Sequence, residues 1–454
     1  MRRILLVSYA FPPNVVVGGL RWQKLIGYAV QRGWGVDVIC LDPSCSELRD
    51  PTSLHDLPPN VRVYGVREKP LLIERLAKQL LTILAKLWKR QPRAQRVDSM
   101  NRAETLQKNM IKGSRSFTRM WHAYFNFARF GLWAEEAARL GKSIVGAQHT
   151  LVITSGPPHM AHQAGWRLAR QTHKHFVMDM RDPWSLVQRV PEHFATPLYF
   201  KLAAKFERRA VEEASLIVTN TEAAAHSLQA LYPFLQNRIV TVMNGSDEEP
   251  LPVANQGPTF VIAYAGAIYL DRDPRPLFQA AARVIQELKL SPDQLSIRFM
   301  GSIYGNCSPM DIARQECIGP FVSYEATRPR HEALQFLARA SMLLSLPQDS
   351  DMAVPSKLFE YIRFPAWILA LTQAESATEL LLRGSAADVV DPCDVDGIAE
   401  VIRRCYLEHS LGIKPAAVGS DSRFSRRRQA KILFDALDSR FGAPLRSTTT
   451  FEGA

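Results

Sequence analysis

Val354-Pro355-Ser356-Lys357-Leu358-Phe359-Glu360-Tyr361 is the stretch of this 454-residue chain best equipped for chemistry. Proline suits the first turn of a helix, and no good capping residue stands just before it, which leaves the first backbone N–H groups for a ligand. Lys357 falls in that turn, where a cation opposes the helix dipole unless an anion is bound. Glu360, three residues on, shares a face with it. A lysine for phosphate beside a carboxylate for ribose hydroxyls is a nucleotide-binding arrangement. A plain surface Lys–Glu pair is the other reading of the same spacing.

The remaining candidates sit where apolar runs give way to helical patterns. Ser8-Tyr9-Ala10-Phe11-Pro12-Pro13 is followed by Gly18-Gly19-Leu20-Arg21-Trp22. Glycines there let a ligand approach the backbone, although a tight turn uses them equally well. The spacing is not that of a dinucleotide fingerprint, and no acidic residue sits well placed at the end of a second strand to hold a ribose. Ser155-Gly156-Pro157-Pro158-His159 carries a histidine able to hydrogen-bond a sugar hydroxyl or a developing charge. Asp179-Met180-Arg181-Asp182-Pro183-Trp184 fits either a polar ligand or a loop-bracing ion pair. Gly266 follows Tyr264-Ala265, and two D-x-D triplets occur, Asp271-Arg272-Asp273 and Asp349-Ser350-Asp351. Such triplets can hold a divalent metal on a diphosphate. Arg272 interrupts the first and no third ligand is evident, so no metal is expected.

These residues need strands to carry them. Apolar runs at Ile4–Ala10, Val36–Leu41, Val61–Val66, Leu151–Ser155, His175–Asp179, Leu216–Thr219 and Ile239–Met243 alternate with helical patterns. After a polar stretch the rhythm restarts at Val261–Gly266, Leu295–Met300, Met342–Leu346, Trp367–Leu371 and Asp388–Val390. The pattern predicts an α/β chain of two Rossmann-like domains facing a central cleft, with ligands at the carboxyl ends of the strands. The expected domains are 1–246, with a basic insertion at 67–140, then a linker 247–258, a second domain 259–420 and a helical tail 421–454.

Hydrophobic residues make up 46% and charged residues 22%, which excludes disordered, collagen-like and disulfide-scaffold classes. No apolar run approaches the ~18–20 residues of a spanning helix. The start, Met1-Arg2-Arg3-Ile4-Leu5-Leu6-Val7, reads as a first strand rather than a signal peptide. Six scattered cysteines without a C-x-x-C pair point to a reducing compartment and no structural zinc. Net charge is +12, of which residues 67–119 supply 14 Lys/Arg less 4 Asp/Glu, or +10. Ile73, Leu76, Leu80, Leu84, Leu87 and Trp88 recur at helical spacing, opposite Arg75, Lys78, Lys86 and Lys89. Residues 117–133 then hold seven of 41 aromatics. Aromatic and basic faces together suit an anionic membrane surface; packing on the sheet with solvated charges is the plainer alternative. The aromatics lie on helices rather than on the strands of an RNA-binding module, so no nucleic-acid partner is expected.

In order and spacing, Phe11-Pro12-Pro13 with Gly18-Gly19, Ser-Gly-Pro-Pro-His159, Asp-x-Arg-Asp-Pro-Trp184, Asn244-Gly245, Tyr-Ala-Gly266 and Pro-Ser-Lys-Leu-Phe-Glu360-Tyr resemble bacterial glycosyltransferases. The resemblance is to GT-B enzymes of the retaining glycosyltransferase family 4 type, over about residues 1–405 without the insertion. It implies transfer of a sugar from a nucleotide-diphosphate donor, often to a lipid-linked glycan in polysaccharide biosynthesis, with retention and without a metal or other cofactor. It implies donor contacts from Gly18, Gly19, Gly266, Lys357 (diphosphate) and Glu360 (ribose), with Arg272 replacing an arginine that the family carries next to Gly266, where this chain has Ala267. His159 would be catalytic, facing the transferred sugar. Arg21, Arg181, Asp182 and Trp184 are left for the acceptor or cleft. Met352 stands where the family has a first glutamate, eight residues before Glu360. The implied enzyme is cytoplasmic and peripheral at the inner face of the membrane. The competing class is a catalytically silent nucleotide- or glycan-binding protein in an assembly complex.

Overall fold

The computed structural model describes residues 1–14, 17–46, 49–55, 57–71, 115–187, 190–192, 194–247, 249–254, 257–269, 272–304, 308–347, 350–419 and 422–442. Two compact units result: Met1–Ser185 with Val190–Ile217, and Leu186–Arg189 with Val218–Ala454. The predicted amphipathic helix near 70–90 lies outside the described residues.

The chain opens with β1 (Arg3–Ser8), α1 (Val17–Gln31), β2 (Gly35–Leu41), β3 (Val61–Val66) and α2 (Arg115–Ile144). It continues through β4 (His149–Gly156), α3 (Ala161–Thr172), β5 (His175–Met180), α4 (Pro197–Glu213), β6 (Leu216–Thr219), α5 (Glu222–Leu231) and β7 (Ile239–Thr241). The first sheet runs in the order β3-β2-β1-β4-β5-β6-β7. Strands β1 and β2 are buried at every residue, as a parallel sheet covered on both faces requires, which is why they read as unbroken apolar runs.

The second sheet uses β8 (Phe260–Ala265), α6 (Arg275–Leu288), β9 (Leu295–Met300), α7 (Pro309–Gln315), β10 (Val322–Glu325), α8 (Arg330–Ala338) and β11 (Met342–Ser345). After these come α9 (Leu358–Tyr361), β12 (Trp367–Leu371), α10 (Ala377–Leu382), β13 (Asp388–Val390), α11 (Val395–Ser410) and α12 (Arg426–Phe441). Its order is β10-β9-β8-β11-β12-β13. Helix α6 buries Leu277, Phe278, Ala281 and Val284, the i, i+1, i+4, i+7 stripe of a core-facing helix, and Phe278 meets Phe299 edge-on at 5.7 Å.

Both sheets reverse direction once. Strand β1 has β2 on one side and β4 on the other, and β8 has β9 and β11. In open parallel sheets the crevice at such a reversal, at the carboxyl ends of the strands, is the ligand position. Ser8 of β1 pairs with Ser155 of β4, and Ser155 with Asp179 of β5, so these three mark one row of that rim.

Sequence and structure differ at two places here. Strand β10 was not predicted, because an edge strand of sequence Val-Ser-Tyr-Glu buries only its first residue and carries no apolar run. Residues 133–138, expected within the insertion, belong to the core of the first sheet: Trp133, Ala134, Ala137 and Ala138 pack with Leu5, Val7, Ile39 and Val152. The beginning of α2 behaves differently, with Met120, Trp121 and Tyr124 exposed. No described helix is long and apolar enough to cross a membrane.

Candidate functional site

The predicted residues fall into two constellations, one in each unit. In the first, Asp179 at the end of β5 is 1% exposed and collects four donor atoms. Arg21 reaches it through Nε at 3.3 Å and Nη2 at 3.2 Å, Trp22 Nε1 at 2.7 Å and Ser155 Oγ at 3.1 Å. A buried carboxylate needs this much compensation. The effect is to pin α1 to the ends of β4 and β5. Arg21, expected in the acceptor site, is only 5% exposed and is spent on this anchor.

The glycines in the first turn of α1 serve the chain's own packing. A Cβ at Gly18 would stand 2.8 Å from both terminal nitrogens of Arg181, and one at Gly19 would stand 3.1 Å from Phe11 Cα. The space that was expected to admit a ligand is therefore filled by the guanidinium and by the Ala10-Phe11 turn. Arg181 donates through Nε to the Gly156 carbonyl at 3.1 Å and through Nη2 to the Pro157 carbonyl at 2.6 Å. Burial lowers its pKa, against the pull of Asp182 and Asp179. Asp182 lies at the exposed edge of the same turn.

His159 lies stacked on Trp184, ring centroids 5.1 Å apart at 17°, and Trp184 is 2% exposed. His162, the second residue of α3, is fully buried and its Nδ1 bonds Thr154 Oγ1 at 2.7 Å. A Cβ on Gly156 would lie 2.7 Å from His162 Nε2 and 2.8 Å from His159 Nδ1. Neither nitrogen finds a hydrogen-bond partner among the described residues. Burial, the neighbouring His162 and Arg181 hold His159 well below its ordinary pKa, while a bond to the Pro183 backbone opposes them. Burial and Arg181 push His162 down to about 3. His159 is thus a neutral ring whose Nδ1 is closed against Gly156. His162 was missed in sequence; its place three residues after His159 was the available signal.

This pair carries a pH dependence. In the unfolded chain each histidine titrates near 6.5, whereas the folded chain does not protonate His162 until about pH 3. Protons therefore favour unfolding, and the stabilisation present above pH 6.5 is lost as the pH falls. At pH 5 the loss is about 2 kcal/mol for His162, and His159 acts in the same direction. Urea midpoints measured from pH 7.5 to 5 should fall less steeply for His162→Gln than for the parent. Parallel slopes would refute the buried neutral pair.

The second constellation forms at the end of β8. Beyond Ala263 this strand has no β11 partner, since their pairing is Ile262 with Met342 and Ala263 with Leu343. The Tyr361 hydroxyl takes over: it accepts from the Ala265 N–H at 2.9 Å and donates to the Ala265 carbonyl at 3.1 Å. Tyr361 is wholly buried. This clasp brings the preceding residues onto the strand end. Lys357 Nζ lies 3.3 Å from the centre of the Tyr264 ring and is closed to solvent. A cation held on an aromatic face is favourable. Gly266 has φ +143°, and a Cβ there would sit 3.0 Å from Lys357 Nζ. Arg272 lies over Tyr269 at 4.3 Å and points Nη1 at the Ala267 carbonyl, 3.5 Å away. Gly266, Lys357 and Arg272 are therefore gathered about one turn.

Two details differ from the expected arrangement of Lys357 and Glu360 in a first helical turn. The helix begins at Leu358 and lasts four residues, with Lys357 at the capping position. The bonds Leu358 N–H to Pro355 O and Phe359 N–H to Ser356 O make the preceding turn tight, so little helix dipole is available. The cationic charge then comes from Lys357 itself. Glu360 turns to Arg330, whose Nε and Nη2 donate to Glu360 Oε1 at 3.1 and 2.9 Å. Sequence reading missed Arg330, Tyr361 and also Gly301, whose φ is +149° and whose added Cβ would lie 2.0 Å from the Gly266 carbonyl oxygen.

No group of three or more metal-ligating side chains occurs among the described residues. In the first D-x-D triplet Asp273 is committed to Arg275, accepting from its backbone N–H at 2.9 Å and its guanidinium at 2.7 Å. Asp271 and Asp349 lie outside the described residues.

No protein-family model and no curated protein matches the sequence. Solved structures do match. Sucrose-phosphate synthase from Thermosynechococcus elongatus superposes with TM-score 0.63 at 12% identity, over 97% of this chain and 99% of that one. The fold is GT-B. S. aureus TarM, in a complex with fondaparinux, alpha-GlcNAc-glycerol and UDP, gives 0.59 at 9% identity over 96% and 99%. WaaG, a glycosyltransferase involved in lipopolysaccharide biosynthesis, gives 0.57 at 13% over 95% and 99%.

Proposed function

We propose that this chain is a bacterial hexosyltransferase that moves a sugar from a nucleotide-diphosphate donor to a lipid-linked glycan during surface polysaccharide synthesis, with retention at the anomeric carbon. The observation that carries the reading is Lys357 Nζ fixed between the Tyr264 ring and Gly266, at the sheet reversal of the second unit. Breaking the sugar–phosphate bond builds positive charge on the sugar and negative charge on the departing diphosphate. A preorganised cation at the leaving group lowers that barrier. Lys357 supplies it, Arg272 adds a second charge at the same turn, and Glu360 takes ribose hydroxyls. In the first unit His159 faces the transferred sugar, and Arg181, Asp182 and Trp184 shape the acceptor side. UDP in the TarM complex and the lipopolysaccharide role of WaaG support the substrate class. Stabilisation of the protein by nucleoside diphosphates in a thermal-shift panel tests the donor assignment; a panel without any shift counts against it.

The chemistry proposed here uses no metal and no other cofactor, the two cationic side chains standing where a metal would. Transfer should therefore persist in excess chelator. Loss of turnover in chelator, restored by magnesium or manganese, would return the D-x-D triplets to the site.

The same reading places the protein at the cytoplasmic face of the membrane. Exposed Met120, Trp121 and Tyr124, with Trp121 stacked on Phe125 at 5.1 Å, follow directly on the basic segment 67–119. Each basic residue near an anionic bilayer contributes ~1 kcal/mol, and buried aromatic area adds to it. Replacing Lys78, Lys86, Lys89 and Arg90 by glutamine should release the protein from anionic vesicles and leave nucleotide binding intact. Equal cosedimentation of variant and parent at low salt contradicts the membrane assignment.

A further inference from the structure

Glu360 is not simply displayed; it is held. A glutamate side chain has three rotatable bonds, and ordering it at the moment of binding costs affinity. Arg330 removes that freedom by donating from two nitrogens of one guanidinium edge to Oε1, at 3.1 and 2.9 Å. Its remaining nitrogen, Nη1, donates to Glu249 Oε2 at 3.2 Å. The Glu249 backbone carbonyl is in turn gripped by Arg363, three residues beyond Glu360. The guanidinium is thus braced from behind while it holds Glu360 in front.

Its position makes the arrangement informative. Arg330 is the first residue of α8, which leaves the carboxyl end of β10 on the same rim as Gly266. A cation in a first helical turn opposes the helix dipole. Two carboxylates offset that here, and Glu360 followed by Glu249 raises the arginine's pKa against the effect of burial. Glu360 remains 27% exposed, and Oε2 receives no hydrogen bond from any described residue. One carboxylate oxygen is fixed and the other is presented.

We propose that Arg330 is a positioning residue that sets Glu360 for a vicinal diol, the ribose 2′ and 3′ hydroxyls of the donor nucleotide. This rests on the reading of Glu360 as the ribose contact. Exposed ion pairs of ordinary kind contribute little to stability, so Arg330's role shows in ligand selectivity.

The probes are UDP, ADP and GDP, each against its 2′,3′-dideoxy counterpart, titrated calorimetrically into the full chain. The parent should prefer the ribose form of the base it binds by about tenfold or more, as hydrogen bonds to a charged group allow. Glu360→Ala should erase that preference. Arg330→Ala should cut it to within about twofold while leaving affinity for the dideoxy form unchanged. Arg330→Lys should fall between, because a single ammonium does not reproduce a fork; it also carries the comparison if the alanine variant does not fold. An Arg330→Ala protein that keeps the parent's preference, or that weakens both forms equally, overturns the proposal while leaving Glu360's role intact. A parent that binds ribose and dideoxy forms alike removes the ribose reading itself, and Arg330's role with it.

Discussion

Lys357→Ala is expected to bind nucleoside diphosphates about 10–100-fold more weakly than the parent, the loss of ~1.5–3 kcal/mol that accompanies removal of a charge-assisted phosphate contact. The effect belongs to the ammonium rather than to local collapse. Lys357 holds the capping position of a four-residue helix whose place is set by Tyr361 on Ala265, and that clasp does not involve the lysine side chain. Thermal stability without ligand should therefore change little. Gly266→Ala should act in the same direction, because its Cβ would stand 3.0 Å from Nζ and displace it from the Tyr264 ring. Calorimetric titration of both variants with the best-binding diphosphate checks this. Parent-like affinity in Lys357→Ala would remove the donor site from this turn.

The largest stability effect is expected at Gly301. A Cβ there meets the Gly266 carbonyl oxygen at 2.0 Å, a backbone atom with no rotamer by which to withdraw, and φ of +149° is strained for any L side chain. The two glycines end adjacent strands: Gly266 N–H donates to the Met300 carbonyl at 2.8 Å, and Gly301 N–H to the Glu325 carbonyl at 3.0 Å. Relieving the clash would break one of these bonds. Gly301→Ala should lower the unfolding free energy by about 3–5 kcal/mol and weaken diphosphate binding in whatever folded protein remains. A urea midpoint equal to the parent's would show that the turn yields more easily than these contacts allow.

The difference between what the sequence shows and what it hides is physical. Fully covered parallel strands such as Ile4-Leu5-Leu6-Val7 must be apolar on both faces, so their runs are legible. Edge strand β10 has only Val322 buried and leaves no such trace. Gly266 and Lys357 were legible as residue types beside strand ends. The partners that position them were not, because Tyr361 meets Ala265, and Arg330 meets Glu360, only after folding. The anchor of Arg21 on Asp179 spans 158 residues of sequence. Glycine spacing was informative about close approach and silent about what approaches: at Gly18 it is Arg181, and at Gly156 two histidine rings.

The central claim is that this GT-B chain transfers a sugar, and product analysis tests it most directly. The protein is incubated with labelled nucleotide sugars, one at a time, in the presence of bacterial membrane lipid extract. Sugar transfer predicts that one donor yields a labelled glycolipid together with an equal amount of nucleoside diphosphate, and that Lys357→Ala abolishes both products in step. A protein that binds the nucleotide yet consumes none of the donors with any extract would contradict it, and would identify the chain as a silent binding component.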